Sequence, residues 1–103
     1  MSYNPSPGGG GGISTVVTQT GASYTAAADD DVILCNSAAI TITLPTAVGD
    51  TGKTYYIKNI HATGIVTIDP NGAETIDGNA KTFVLTQNSN ITFCSDNVGW
   101  RIL

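Results

Sequence analysis

Turn signals recur about every 8–12 residues along this chain of 103 residues, and short runs rich in β-branched and aromatic residues lie between them. This spacing is typical of an all-β sandwich or barrel, and no segment shows the periodicity of an amphipathic helix. We therefore predict a compact, jelly-roll-like β-sandwich of about eight strands in two packed sheets. The predicted strands are 14–20, 31–35, 39–44, 54–60, 65–69, 81–86, 90–94 and 99–103.

Alternation of apolar and polar residues defines the predicted core. In the segment AITITLP, Ile40, Ile42 and Leu44 face one way while the threonines between them face the other. The same period predicts further core pairs on other strands: Val66 with Ile68, Phe83 with Leu85, Ile91 with Phe93, and Trp100 with Ile102.

Turn residues mark where the strands end. The sequence DPNG at 69–72 is typical of a type I turn, and Asp77-Gly78 is a strong hairpin signal. Pro45 suits a strand end, because it has no N–H to donate to a ladder. The aspartates at 29–31 precede a strand, where we expect their charge to discourage wrong edge pairing.

The chain divides into a Gly/Pro-rich N-terminal arm, residues 1–13, and one β domain, residues 14–103. Two prolines and five consecutive glycines cannot bury apolar surface, so we expect the arm to be flexible when alone. Ordering it against a partner costs about 1–2 kcal/mol per residue in backbone entropy. The predicted partner-binding residues of the arm are Tyr3, Pro5, Pro7, Gly8, Gly10 and Gly12.

Charge is sparse: 12% of the residues are charged, compared with about 25% in typical globular proteins. A surface so poor in charge favours contact with neighbouring chains, so we expect an oligomer. The net charge is −4, with only four basic residues, which argues against nucleic acid and anionic membranes as partners. No apolar run reaches the length of a membrane span, and the first residues do not resemble a signal peptide.

The two cysteines, Cys35 and Cys94, lie at the ends of two predicted strands. Two interpretations remain open: a disulfide between the sheets, which needs an oxidising compartment, or two small thiols that help to fill the core.

Candidate catalytic residues are few. His61, the single histidine, has no nucleophile elbow to serve, so we interpret it as a loop residue. Asp69, Glu74 and Asp77 are close enough in sequence to collect a calcium ion, but their order departs from the EF-hand pattern and turn preferences explain them. The glycines at 8–12 lack the lysine of a phosphate-binding loop. We expect no cofactor, no metal and no enzymatic activity.

Aromatic residues offer the remaining candidates for binding. Their rings could stack on bases or sugars, but no basic residues are interleaved with them, so burial or a contact between subunits is the commoner use. The residues concerned are Tyr3, Tyr24, Tyr55, Tyr56 and Trp100.

About 70% of the chain resembles a small all-β module of bacteriophage fibre and capsid decoration proteins. The matching residues are Leu44-Pro45, Gly52-Lys53, Tyr55, Ile57-Lys58-Asn59, Val66 to Pro70, Gly72, Glu74 to Gly78, Ser95-Asp96, Gly99-Trp100 and Ile102-Leu103. The resemblance implies a sandwich or jelly-roll-like fold, usually trimeric, with a structural or adhesive role and no catalytic residues.

Three functions follow as hypotheses. The first is a trimeric capsid decoration or head-fibre protein, made in the host cytoplasm and held on the major capsid protein by its arm, because the module follows an arm rather than a fibre shaft. The second is a receptor-binding module of a tail tip or short fibre that recognises surface carbohydrate. The third, which ranks last, is a glycan-degrading enzyme that uses Asp69, Glu74, Asp77 or Asp96.

Overall fold

The computed structural model describes residues 13–103, so the predicted arm-binding residues Tyr3, Pro5, Pro7, Gly8, Gly10 and Gly12 lie outside the described part. The described residues form nine strands and no helix, which confirms the all-β prediction. The strands are β1 (Val16–Gln19), β2 (Ser23–Thr25), β3 (Val32–Cys35), β4 (Ala39–Thr43), β5 (Thr54–Asn59), β6 (Ile65–Asp69), β7 (Thr82–Val84), β8 (Asn90–Ser95) and β9 (Trp100–Ile102).

The first six strands wind alternately through two sheets. Strands β1, β3 and β5 are neighbours in sheet 1, while β2, β4 and β6 are neighbours in sheet 2, and all four pairings among them are parallel. Parallel neighbours need a long crossover, and here each crossover includes a strand of the opposite sheet. Residues 16–69 thus make three coils of two strands each, which we call the wound half.

The last three strands pair antiparallel. β7 adds to β6 at the edge of sheet 2, whereas β8 adds to β5 and β9 adds to β8 in sheet 1. We call residues 82–102 the returning half. The order is β1-β3-β5-β8-β9 in sheet 1 and β2-β4-β6-β7 in sheet 2. Jelly rolls pair their strands antiparallel, whereas four of these seven pairings are parallel.

One strand was not predicted from the sequence. β2 is the tripeptide Ser-Tyr-Thr, which pairs in parallel with Thr41–Thr43 of β4. Its alternation is too short to register as a pattern, and only the central Tyr24 packs against the core. Three residues are too few for a strand to be predicted from alternation, and the pairing with β4 extends sheet 2 by this strand.

The buried side chains of both sheets form one hydrophobic cluster, which confirms most of the predicted core. Ile91 is partly buried and packs against the cluster. The predicted core residues that are buried are Ile40, Ile42, Leu44, Val66, Ile68, Phe93 and Trp100. The remaining large members include Ile33, Tyr55, Ile57 and Ile76.

The predicted core pair on β7 is wrong. Phe83 and Leu85 are 53% and 63% exposed, and Val84 between them is the inward residue, 5% exposed. In the run Phe-Val-Leu both faces are apolar, so alternation alone does not choose between them. Ile102 was also predicted as core but is 37% exposed, because β9 is the edge strand of sheet 1.

The hairpin turn at Asp77-Gly78 is confirmed. Both residues have positive φ, 50° and 83°, and Ile76 and Asn79 exchange two backbone hydrogen bonds of 2.8 Å around them. The predicted turn at 69–72 lies further along the chain. The amide of Glu74 donates to the carbonyl of Asn71, and Gly72 with φ of 54° occupies the first central position.

The two cysteines are free. Cys35 pairs with Asn59 at one end of β5, whereas Cys94 pairs with Thr54 at the other end. Five residues of extended strand separate the two positions by about 16 Å, far beyond the reach of a disulfide. Burial raises the pKa of Cys35 to about 11, so this thiol stays protonated at neutral pH.

Candidate functional site

A group of ionisable side chains surrounds Asp30, the middle residue of the aspartate triplet. Its side chain is buried, and Oδ2 accepts hydrogen bonds from the Tyr24 hydroxyl at 2.5 Å and from the Ala27 amide at 2.8 Å. The Lys53 ammonium donates to the backbone carbonyl of Asp30 at 2.7 Å. Asp30 therefore closes the loop between β2 and β3.

Asp31 holds the start of the first coil. Its Oδ2 accepts from the amides of Ser14 and Thr15 at 2.8 and 2.9 Å, and Lys53 Nζ lies 3.8 Å from Oδ1. Burial opposes ionisation of this carboxyl, but the Ser14 and Thr15 donors together with the Lys53 charge outweigh burial and lower the pKa of Asp31. The side chain thus ties the segment before β1 to β3.

Two tyrosines beside this group are held in their neutral form. The hydrogen bond to Asp30, aided by burial, raises the pKa of Tyr24 to about 12. Burial, followed by the nearby charges of Asp50 and Asp30, raises the pKa of Tyr55. The hydroxyl of Tyr55 donates to the Ala27 carbonyl at 2.9 Å. Neither phenol is poised as a base at neutral pH, and both act as hydrogen-bond donors.

Glu74, a candidate for calcium or catalysis, braces a neighbouring loop. Its Oε1 accepts from the Ala47 amide at 2.8 Å, and its Oε2 accepts from the Thr46 hydroxyl at 2.5 Å. The loop that joins β4 to β5 is thereby attached to the loop that joins β6 to β7. Both carboxylate oxygens already have donors.

Asp96 and Asp77 meet at Arg101. The guanidinium Nε donates to Asp96 at 2.8 Å, and Nη1 lies 3.9 Å from Asp77. Asp96 Oδ1 also accepts from the amides of Val98 and Gly99, both at 2.9 Å. The Gly99 amide, together with Arg101 and Val98, lowers the pKa of Asp96 to about 2. This pattern fixes the turn between β8 and β9.

The structure therefore separates most of the candidate carboxylates. Asp77 and Asp96 share Arg101, Glu74 faces the 46–48 loop, and Asp69 lies on the outer face of β6. Across residues 13–103, no three His, Cys, Asp or Glu side chains are grouped so that they could hold a metal ion. His61 Nδ1 accepts from the Thr63 amide at 3.1 Å, in keeping with its predicted place in a loop.

Two of the four candidate aromatic residues in the described part of the chain are buried, and two are half-buried. Tyr55 and Trp100 are 0% and 1% exposed, with ring centroids 5.5 Å apart. Trp100 Nε1 donates to the Pro45 carbonyl at 3.2 Å, which satisfies its one donor. Tyr24 is half-buried against the core, and Tyr56 is half-buried on the outer face of sheet 1.

Sequence reasoning missed two buried polar residues, Asn59 and Ser95. Asn59 Nδ2 donates to the carbonyls of Gly64 and Val84 at 2.8 and 3.1 Å. Ser95 Oγ donates to the Ala47 carbonyl at 2.6 Å. The available signal was alternation, because 59 continues the inward set 55 and 57, and 95 continues 91 and 93. Each tethers a loop to the sheet beneath it.

The polar side chains of this arrangement hold loops in place. Each hydrogen-bonded carboxylate accepts bonds from loop amides, from hydroxyls or from a neighbouring cation, and these bonds attach loops to strands.

No protein-family model matches the chain, and no curated protein matches its sequence. Within the described residues there is no helix long and apolar enough to cross a membrane.

Proposed function

We propose that the protein is a structural component of a virus particle: a homotrimeric capsid decoration or head-fibre protein, attached to the major capsid protein through residues 1–12. The β domain stands outward from the capsid surface. The expected partners are further copies of this chain and another virion protein.

The observation that carries this proposal is the use of the acidic side chains. Asp30, Asp31, Glu74 and Asp96 each accept hydrogen bonds from backbone amides of another segment or of their own turn. A carboxylate occupied in this way is a poor general acid or base, because the reaction would have to break the bonds that fix its loop. In residues 13–103 these bonds attach loops to strands, which supports a structural role on a particle surface.

The finer description of the fold also belongs to this proposal. Two sheets enclose one buried cluster, which supports the term β-sandwich. The parallel coils of the wound half favour a coiled chain path over a jelly-roll path. We therefore class the domain as a β-sandwich with a wound first half.

The alternative, a carbohydrate-binding module of a tail tip or short fibre, has weaker support. Sugars stack on exposed aromatic rings, whereas Tyr55 and Trp100 are buried and satisfied by internal hydrogen bonds. Among the described aromatic residues, Phe83, which is 53% exposed, or Tyr56, which is half-buried on sheet 1, would have to carry such a site.

The test is a binding assay on purified capsids that lack this protein. The full chain and a chain without residues 1–12 are compared by co-sedimentation, and a full-length variant with Tyr3, Pro5 and Pro7 changed to Ala serves as the narrower control. We expect the full chain to bind and the truncated chain to lose binding by at least tenfold. Undiminished binding of the truncated chain contradicts attachment through the arm.

A glycan array with the full chain separates the two functions. A decoration protein should bind none of the saccharides on the array, and its binding to capsids should not change when free saccharide is added. Specific retention of one saccharide class, lost in Tyr56→Ala, would instead favour the tail-tip function.

A further inference from the structure

Three large apolar side chains form a neighbouring set on the outer face of sheet 2. Ile65 of β6 is 48% exposed, and Phe83 and Leu85, in and just after β7, are 53% and 63% exposed. We name Ile65, Phe83 and Leu85 the outer patch. Contiguous exposed apolar surface of this kind marks contact sites more often than scattered single residues do.

Strand register places these side chains side by side. Thr67 of β6 lies opposite Phe83 of β7, and continuing this antiparallel register sets Ile65 opposite Leu85. Their neighbours Val66 and Val84 are buried, so the three patch residues point away from the core. On the other side of β6, Ala39 lies opposite Ile65 and Thr41 opposite Thr67, which keeps the surrounding surface small and uncharged.

Two of the three patch residues, Phe83 and Leu85, lie in or just after β7, the edge strand of sheet 2. Residues 82–95 contain no charged side chain, although edges are usually guarded by charges, prolines or a covering segment. The edge of sheet 1 at β9 is treated differently. There the amide of Trp100 donates to the carbonyl of Thr75, and the amide of Asp77 donates to the carbonyl of Trp100. The segment between β6 and β7 therefore covers the edge of β9.

The rim of the patch carries one base and one acid. The same register sets Lys81 opposite Asp69 on the outer face. Lys53 and Arg101 form ion pairs with aspartates, but Lys81 and Asp69 form none with any side chain of residues 13–103. A rim with both signs is complementary to a rotated copy of itself, because Lys81 of one copy can meet Asp69 of the next.

We propose that the outer patch and its Lys81–Asp69 rim are the contact surface between copies of this chain. This inference rests on the homo-oligomer of the proposed function and identifies the face through which it forms. A second copy is the occupant the charges favour: two chains of net charge −4 repel elsewhere, whereas here an uncharged apolar surface carries one base and one acid, Lys81 and Asp69, at one end.

The first test measures the mass of the full chain by sedimentation equilibrium over a range of concentrations. The variant Phe83→Asp places a charge in the patch, and the matched control Val98→Asp places one at a position that is 75% exposed elsewhere. We expect the parent chain and Val98→Asp to assemble alike and Phe83→Asp to need at least a tenfold higher concentration. Unchanged assembly of Phe83→Asp, with its circular dichroism spectrum intact, overturns the inference.

The second test uses the rim. Lys81→Asp and Asp69→Lys should each weaken assembly several-fold by placing like charges together, and the double variant should recover most of the loss. Additive losses in the double variant would contradict the pairing. If the parent chain stays monomeric at every concentration, the inference fails, whereas capsid binding through residues 1–12 is measured separately and can still stand.

Discussion

The wound half and the returning half use the same kind of sequence to different ends. In the wound half the coils stack parallel strands in both sheets, and β4 alternates apolar and polar residues, with Ile40, Ile42 and then Leu44 facing the core. In the returning half, β7 and the residue after it contain a run of three apolar residues, Phe83 to Leu85, of which only Val84 is buried. Alternation therefore determines facing where polar residues interrupt the pattern, and position in the sheet determines it where they do not.

The difference also shows in how the two halves are secured. The wound half is stabilised by buried polar side chains such as Asp30, which accepts a hydrogen bond from the Tyr24 hydroxyl. The last strand, β9, is anchored by one large side chain, Trp100, which packs on Tyr55 and donates to the Pro45 carbonyl. Several hydrogen bonds thus secure the loops of the wound half, whereas one large buried side chain anchors β9.

Removal of the anchor should give the largest effect. Trp100→Ala is expected to lower the free energy of unfolding by about 3–5 kcal/mol, because the ring is 1% exposed and its loss leaves a cavity. Urea denaturation followed by circular dichroism measures the change. A loss below about 1 kcal/mol would show that β9 is not anchored through this ring.

A pair of truncations compares facing in the two halves. Ile68→Ala in β6 should cost about 2–5 kcal/mol, since Ile68 is 0% exposed, whereas Phe83→Ala in β7 should cost about 0.5 kcal/mol or less. The measurement is urea denaturation at a concentration where chains do not associate. If Phe83→Ala costs as much as Ile68→Ala, β7 faces the other way.

Loss of a buried acceptor should give an intermediate effect. Asp30→Ala leaves the Tyr24 hydroxyl and the Ala27 amide without their acceptor, and we expect a loss of about 1–3 kcal/mol. Asp29→Ala is the matched control, because Asp29 is exposed and its substitution should change stability by less than about 0.5 kcal/mol. Equal effects would show that the bonds to Asp30 add nothing.

The smallest expected effect is a dependence on acid. Asp31 in the wound half and Asp96 in the returning half both have a pKa lower in the folded chain than the ordinary value of 3.8, and that of Asp96 is about 2. A carboxyl group whose pKa is lower in the folded chain stabilises the fold at pH values above its pKa in the unfolded chain. This contribution is lost as the pH falls toward the pKa in the folded chain.

Denaturant midpoints between pH 6 and pH 2 measure this dependence. For the parent chain, the denaturant concentration at the midpoint should decrease once the pH is lowered below about 4. Asp31→Asn and Asp96→Asn should each be less stable at pH 6 and show a shallower fall. A variant that keeps the full slope of the parent would show that its aspartate does not contribute.

Much of the fold follows from the sequence, and the exceptions have identifiable causes. Eight of the nine strands and the inward residues Ile40, Ile42, Leu44, Val66 and Ile68 could be predicted, because alternation and turn residues act locally. Parallel winding could not, since the connections between successive strands suit a hairpin as well as a coil. The distance between Cys35 and Cys94 was likewise hidden, because register is a property of the assembled sheet.

The roles of the acidic residues were less predictable. Their clustering at turns was visible, but the partners of Glu74 lie at Thr46 and Ala47, almost thirty positions away in the chain. Asp30 gave the same signal as its exposed neighbour Asp29, and only folding distinguishes them. Residue type thus identified the candidate acidic residues, whereas contacts between distant parts of the chain determine which hydrogen bonds each of them makes.

The wound path is the central claim, and a NOESY spectrum of the labelled full chain tests it most directly. The account predicts contacts from β3 to both β1 and β5, and from β4 to both β2 and β6, with the amide pattern of parallel pairs. In antiparallel pairs opposite Cα atoms approach to about 4.5 Å, which gives strong contacts between α-protons. Such contacts between β3 and β4, as in a hairpin, would contradict the wound half.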